Sequence, residues 1–196
     1  MKKPYLYLLA LLILTGCDQE QKTEDIKNLP KNEAALIKQF NTINTKLLYQ
    51  ANEASKKEAI DSGASHISNF IKQNLKLKVE QWNAYVVNVT ESVLEGAGDN
   101  VFDVNVFIPL KDSYDEEHPT TYAITLKCQV KSDDKVLMPI VKKLRPFDKV
   151  IVTGTFKSEE GEDIKFTDWS SPRVSENDFV GPEFIITLEN IKKINN

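Results

Sequence analysis

Leu144-Arg145-Pro146-Phe147-Asp148-Lys149-Val150-Ile151-Val152-Thr153-Gly154-Thr155-Phe156 is the stretch that decides the fold. Lys149 to Phe156 is rich in β-branched residues and reads as a strand. Gly154 inside it marks a bend or a place where another backbone approaches closely. Ahead of it, Val136, Ile140, Val141 and Leu144 recur at helical spacing despite Pro139, so a short helix feeds this strand.

Three more strands lie upstream. Val79 to Val93 carries Tyr85, Val87 and Val89 on one face and Trp82, Ala84 and Val86 on the other. After the turn cluster Gly96-Ala97-Gly98-Asp99-Asn100, residues Phe102, Val104, Val106, Ile108 and Leu110 alternate with Val101, Asp103, Asn105 and Phe107. An acidic loop over 111–120 follows. Tyr122, Ile124, Leu126, Cys128 and Val130 then alternate with Thr121, Thr125, Lys127 and Gln129. Downstream, a long segment from Lys157 to Pro182 leads to a last strand over Glu183 to Ile191. Three strands, a short helix and two strands is the element order of a five-stranded Greek-key barrel of the OB-fold type.

The stretch from Leu144 to Phe156, with its turn before Asp148 and its Val-x-Val-x-Gly run, resembles the corresponding segment of exported OB-fold proteins of the tRNA-anti-like class. Leu48-Tyr49-Gln50-Ala51-Asn52-Glu53 and Cys128 in the third strand are similar to what that class carries there. The likeness covers about Leu47 to Ile191. It implies a barrel that binds through one face and neighbouring loops. The class often has Gly where this chain has Phe147, and it is usually shorter between Lys157 and Pro182.

A helical part, residues 31–77, precedes the barrel of 78–196, giving an α+β chain. Leu36, Phe40, Ile43, Leu47, Ala51 and Ala54 make one apolar seam on a helix from Lys31 to about Ile60. Asp61-Ser62-Gly63 interrupts it, and a second helix to Asn74 buries Ile67, Phe70 and Ile71. The seam either packs on its own barrel or meets a partner helix.

At the N-terminus, Met1-Lys2-Lys3 and the apolar run Tyr5 to Leu14 read as a secretory signal, too short to span a bilayer. Leu14-Thr15-Gly16-Cys17 resembles the lipobox of bacterial lipoproteins. The resemblance implies removal of residues 1–16 and acylation of Cys17 by palmitate-type lipid. Asp18 resembles the signal that holds such proteins in the inner membrane of Gram-negative bacteria, on the periplasmic side. Residues 17–30 are polar and form a tether with a reach of roughly 20 Å.

The chain has 25 Lys and Arg against 29 Asp and Glu; without Lys2 and Lys3 the balance is 23 to 29, or −6. That acidity argues against a nucleic-acid partner, which calls for a basic surface. Cys128, unpaired once Cys17 is acylated, reads as a buried small hydrophobe. His66 and His118 lack zinc-site spacing, and no phosphate loop or nucleophile with a positioned base is present. We expect no enzyme and no cofactor, and instead a binding module, foremost for another protein: an inhibitor, an immunity or exclusion factor, or a subunit of an envelope complex. Oligonucleotide or oligosaccharide binding on the barrel face is the alternative. Candidate contacts are Phe166, Trp169, Arg173 and Phe179 in the Lys157–Pro182 segment, whose aromatics either meet a partner or pin the segment to the barrel. On the barrel face the candidates are Asp103, Asn105, Thr125 and Lys127.

Overall fold

The computed structural model describes residues 29–50, 52–93, 100–110, 123–158, 164 and 177–194. The chain is mixed α+β, two helices followed by a sheet that closes on itself. The elements are α1 (Lys31–Leu48), α2 (Glu53–Gln73), β1 (Lys78–Val93), β2 (Asn100–Pro109), β3 (Ala123–Lys131), α3 (Met138–Val141), β4 (Lys149–Phe156), α4 (Asn177–Val180) and β5 (Glu183–Lys193). The five strands form a closed barrel in the order β1-β2-β3-β5-β4. All neighbours are antiparallel except β3 and β5, which run parallel through Thr125–Glu183, Leu126–Phe184 and Lys127–Ile185.

The first helix ends about twelve residues earlier than the periodicity indicates. α1 ends at Leu48, and Asn52 opens α2, its side chain accepting the Ser55 N–H at 2.9 Å. An Asx cap there offers the backbone a partner that a continuing helix would not provide. Ala54 is consequently exposed, and the seam of α1 is Leu36, Ile37, Phe40, Ile43 and Leu47. Asp61-Ser62-Gly63 does not break α2. A Cβ on Gly63 would lie 3.1 Å from both Ile43 Cγ2 and Phe179 Cζ, so its glycine lets two elements press on the helix.

The first turn of α1 is stitched to β1, where an irregularity between Val79 and Trp82 sets two residues against one on β4, with Gln81 at φ 57°. Asn32 Oδ1 accepts the Trp82 Nε1–H at 2.9 Å, and Glu33 Oε2 accepts the Asn83 backbone N–H at 2.9 Å. Glu33 is buried, and a carboxylate leaves water only where such donors meet it. A second irregularity, between Val86 and Asn88, changes the side of β1 that faces inward. Val89 therefore packs against the core with Trp82, Ala84 and Val86, and does not share a face with Tyr85.

A single core cluster joins helices and barrel. Rings run in contact from Trp82 through Phe156, Phe184 and Phe40 to Phe179, with centroid separations of 5.7, 5.2, 6.1 and 6.4 Å. The seam of α1 thus packs on its own barrel. α3 is one turn long. Asp134 Oδ1 accepts the Val136 and Leu137 N–H groups at 2.8 Å each, and Pro139 sits in the first turn, where its missing N–H costs nothing. Leu137, Met138, Val141 and Leu144 are buried, whereas Val136 is exposed. Gly154 faces β5 so closely that a Cβ would lie 2.5 Å from Thr187 O.

Candidate binding face

β2 and β3 pair Asp103 with Gln129, Asn105 with Lys127 and Phe107 with Thr125. Because Val104, Val106, Leu126 and Cys128 point inward, Asp103, Asn105, Thr125 and Lys127 come together on the outside of one sheet. β1 continues the surface, with Thr90 beside Asp103 and Asn88 beside Asn105. From the Asp103 row to the Phe107 row the face runs about 14 Å.

Its polar groups bind one another. Asp103 accepts from Ser92 Oγ at 2.7 Å and from Gln129 Nε2 at 3.0 Å, and Asn105 Nδ2 donates to Asn88 Oδ1 at 2.8 Å. Lys127 pairs with Glu183 at the start of β5. Side chains held this way present fixed donors and acceptors, so little rotamer freedom is lost when a ligand docks. The sequence reading omitted the aromatic end of this face: the half-buried Tyr85 stacks on Phe107 with centroids 5.4 Å apart and planes at 26°, and Phe107 beneath it is only 4% exposed. The β1–β2 register sets Tyr85 directly opposite Phe107. The outward alternation of both strands carried that signal, since Phe107 follows Asp103 and Asn105 at period two.

Phe179 belongs elsewhere. It is fully buried, against Phe40 and over Gly63, and its carbonyl accepts from Asn44 Nδ2 at 2.8 Å. Together with the Ile164 N–H, which donates to Ser68 Oγ at 3.0 Å, it fastens the β4–β5 connection to the helical pair. This is the pinning role, and Phe179 offers no surface to a partner. Phe166, Trp169 and Arg173 lie outside the described residues, as do Cys17 and Asp18.

Cys128 is buried with Sγ 3.1 Å from Val104 O. Burial, with the Asp103 charge adding to it, pushes its thiol up to about 12. The thiol stays protonated at neutral pH, and a thiolate is the nucleophilic form. Maleimide or a disulfide reagent is expected to label Cys128 only after denaturation; labelling of the native Cys17→Ser chain within minutes would contradict the packing. Among the described residues, no three His, Cys, Asp or Glu side chains group as metal ligands, and no helix is long and apolar enough to cross a membrane. His66 Nε2 is 2.8 Å from Gln39 Oε1, bridging α2 to α1 beside a groove of about 290 Å³ between them.

Scans of this chain against protein-family models, curated proteins and solved structures return no match.

Proposed function

We propose that this chain is a lipid-anchored envelope protein whose barrel is an OB-fold and acts by binding another protein through the outer face of β1, β2 and β3. The reading rests on one observation: Asp103, Asn105, Thr125 and Lys127 share a face whose side chains hold one another in place, with the half-buried Tyr85 at its end. The order β1-β2-β3-β5-β4, with α3 between β3 and β4, supports the OB-fold assignment, and OB-folds bind on this side. A further support for the tRNA-anti-like resemblance is that Phe147, where that class often has Gly, holds φ 66°.

A protein partner is favoured because the face pairs its charges and carries no run of cations for a phosphate chain. The half-buried Tyr85 ring beside hydrogen-bonding groups supports an oligosaccharide as second reading, with Tyr85 the ring a sugar would meet and Phe107 buried beneath it. The role is that of an inhibitor, an immunity or exclusion factor or an envelope-complex subunit, at the periplasmic side of the cell membrane, with Cys17 acylated and Asp18 retaining it there.

Labelled palmitate is expected to enter the parent chain and not Cys17→Ser. The acylated protein, extracted in mild detergent, is expected to carry a stoichiometric protein partner, with retention lowered more than tenfold by Asn105→Arg. Retention untouched by that variant would overturn the assignment of the face. Capture by a polysaccharide array, lost in the same variant, would favour the second reading.

A further inference from the structure

One end of the barrel brings cationic residues together. The segment between α3 and β4 runs beside the end of β5: Val150 pairs with Lys193, Ile151 with Lys192, and the Ile194 N–H donates to Lys149 O at 2.9 Å. Lys142, Lys143, Arg145, Lys149, Lys192 and Lys193 therefore gather at one end of a chain whose formal charge is −4. The one carboxylate in these two segments, Asp148, is held by Lys193 Nζ at 2.7 Å and by the Arg145 N–H at 2.8 Å, which keep its carboxyl below its usual range.

Phe147 lies in the same segment, between Arg145 and Lys149 in sequence. Its N–H donates to Val86 O at 2.8 Å, its φ is 66°, and it is 61% exposed. A bulky L-residue in the left-handed region is strained, and such strain persists where the surroundings impose it and concentrates at functional positions. The fold thus holds an aromatic ring out into solvent at a cost.

We infer that this end of the barrel docks on an anionic bilayer surface, with Phe147 entering the interface and the surrounding lysines and arginine meeting lipid phosphates. Charge complementarity selects an anionic partner, and a protruding ring on a segment that also carries Lys142, Lys143, Arg145 and Lys149 matches a plane of headgroups. The chain's own layout agrees. Asn32, at the start of α1, donates to Glu80 of β1, six residues from the Val86 that holds Phe147, a separation of about 20 Å along the strand. The tether expected over residues 17–30 from their composition spans a similar distance, roughly 20 Å. Acyl chain and basic patch can then engage one membrane together, each raising the local concentration of the other. The address of this membrane rests on the lipid-anchored reading; the chemistry of the patch does not.

The test uses residues 17–196 carrying Cys17→Ser and no lipid, since every residue of the core lies between Leu29 and Ile191. Sedimentation with vesicles one third phosphatidylglycerol is expected to show partitioning more than about 100-fold above that with phosphatidylcholine alone, falling as salt is raised. The triple variant Lys142→Ala, Lys143→Ala, Arg145→Ala is expected to lose roughly 100-fold of it. Phe147→Gly is expected to lose roughly fivefold while its thermal midpoint rises, because glycine accepts the positive φ. Weaker binding in a more stable protein is an outcome that a purely structural role for Phe147 does not produce. Equal partitioning onto neutral vesicles, or a triple variant that binds like the parent, overturns the inference. So does patch-dependent binding confined to an acidic peptide or a single-stranded oligonucleotide. Palmitate labelling reads the anchor separately: an unlabelled chain that binds anionic vesicles removes the anchor alone, and a labelled one that ignores them removes the docking alone.

Discussion

Gly154→Ala is expected to destabilise the protein by about 3 kcal/mol and to lower its thermal midpoint by about 6–12 °C. The added Cβ would meet Thr187 O at 2.5 Å and Ile186 Cδ1 at 3.3 Å. The first of these atoms is backbone within the β4–β5 ladder, so no side-chain rotation relieves the clash. The strands would have to part where their register already shifts, between Thr153 and Gly154, which pairs with Leu188. Nearby, Thr155 and Lys78 both hold Glu189, and these bonds keep its carboxyl below the usual range. Separation there would loosen that cluster too. Gly63→Ala is the control. Its contacts are side-chain atoms that can give by tenths of an ångström, and alanine gains about 1 kcal/mol of helix propensity over glycine. Circular dichroism melts of the two variants decide the matter, and a Gly154→Ala midpoint within two degrees of the parent would refute the close-approach argument.

Phe40→Ala is expected to cost about 3–5 kcal/mol, the range for removing a fully buried aromatic ring. Phe40 joins the helical pair to the barrel, with its ring 6.1 Å from Phe184 of β5 and 6.4 Å from Phe179 of α4. Helices and barrel should therefore unfold as one unit in parent and variant alike. In a Trp169→Phe background, Trp82 fluorescence reports the junction where β1 meets Asn32 of α1, and far-ultraviolet dichroism is weighted toward α1 and α2. Coincident urea transitions are expected. A helical transition that precedes the loss of Trp82 signal would show the 31–77 part to be a separate unit, contrary to the continuous core.

The strands were legible because period-two alternation survives wherever pairing is regular, as it does along β2 and β3 from Val101–Lys131 to Pro109–Ala123. That regularity is why Asp103, Asn105, Thr125 and Lys127 were placed on one face correctly. The reading failed where a single residue changes phase. The irregularity between Val86 and Asn88 turns Val89 inward, and no residue type in Val86-Val87-Asn88 announces it. The helix boundary failed for a related reason. Gly63 was read as a breaker by its backbone freedom, yet α2 uses its lack of a side chain to admit Ile43 and Phe179, a requirement set by elements 20 and 116 residues away. Phe179 itself could not be told from an exposed aromatic, since its burial depends on Phe40 across the sequence. Nothing in the residue type of Phe147 announces its left-handed backbone, which is set by the turn that carries its N–H to Val86 O.

The place of β5 has a consequence for the order in which the molecule can be built. It lies between β3 and β4, so until residues 183–193 have been made the sheet stays open with two bare edges, and no earlier strand can substitute. Assembly must then wait until β5 has been made, and pairings as distant as Lys78 with Thr155 make closure slow. A ribosome that stops short of Glu183 would release a chain whose unpaired edges invite association with others like it.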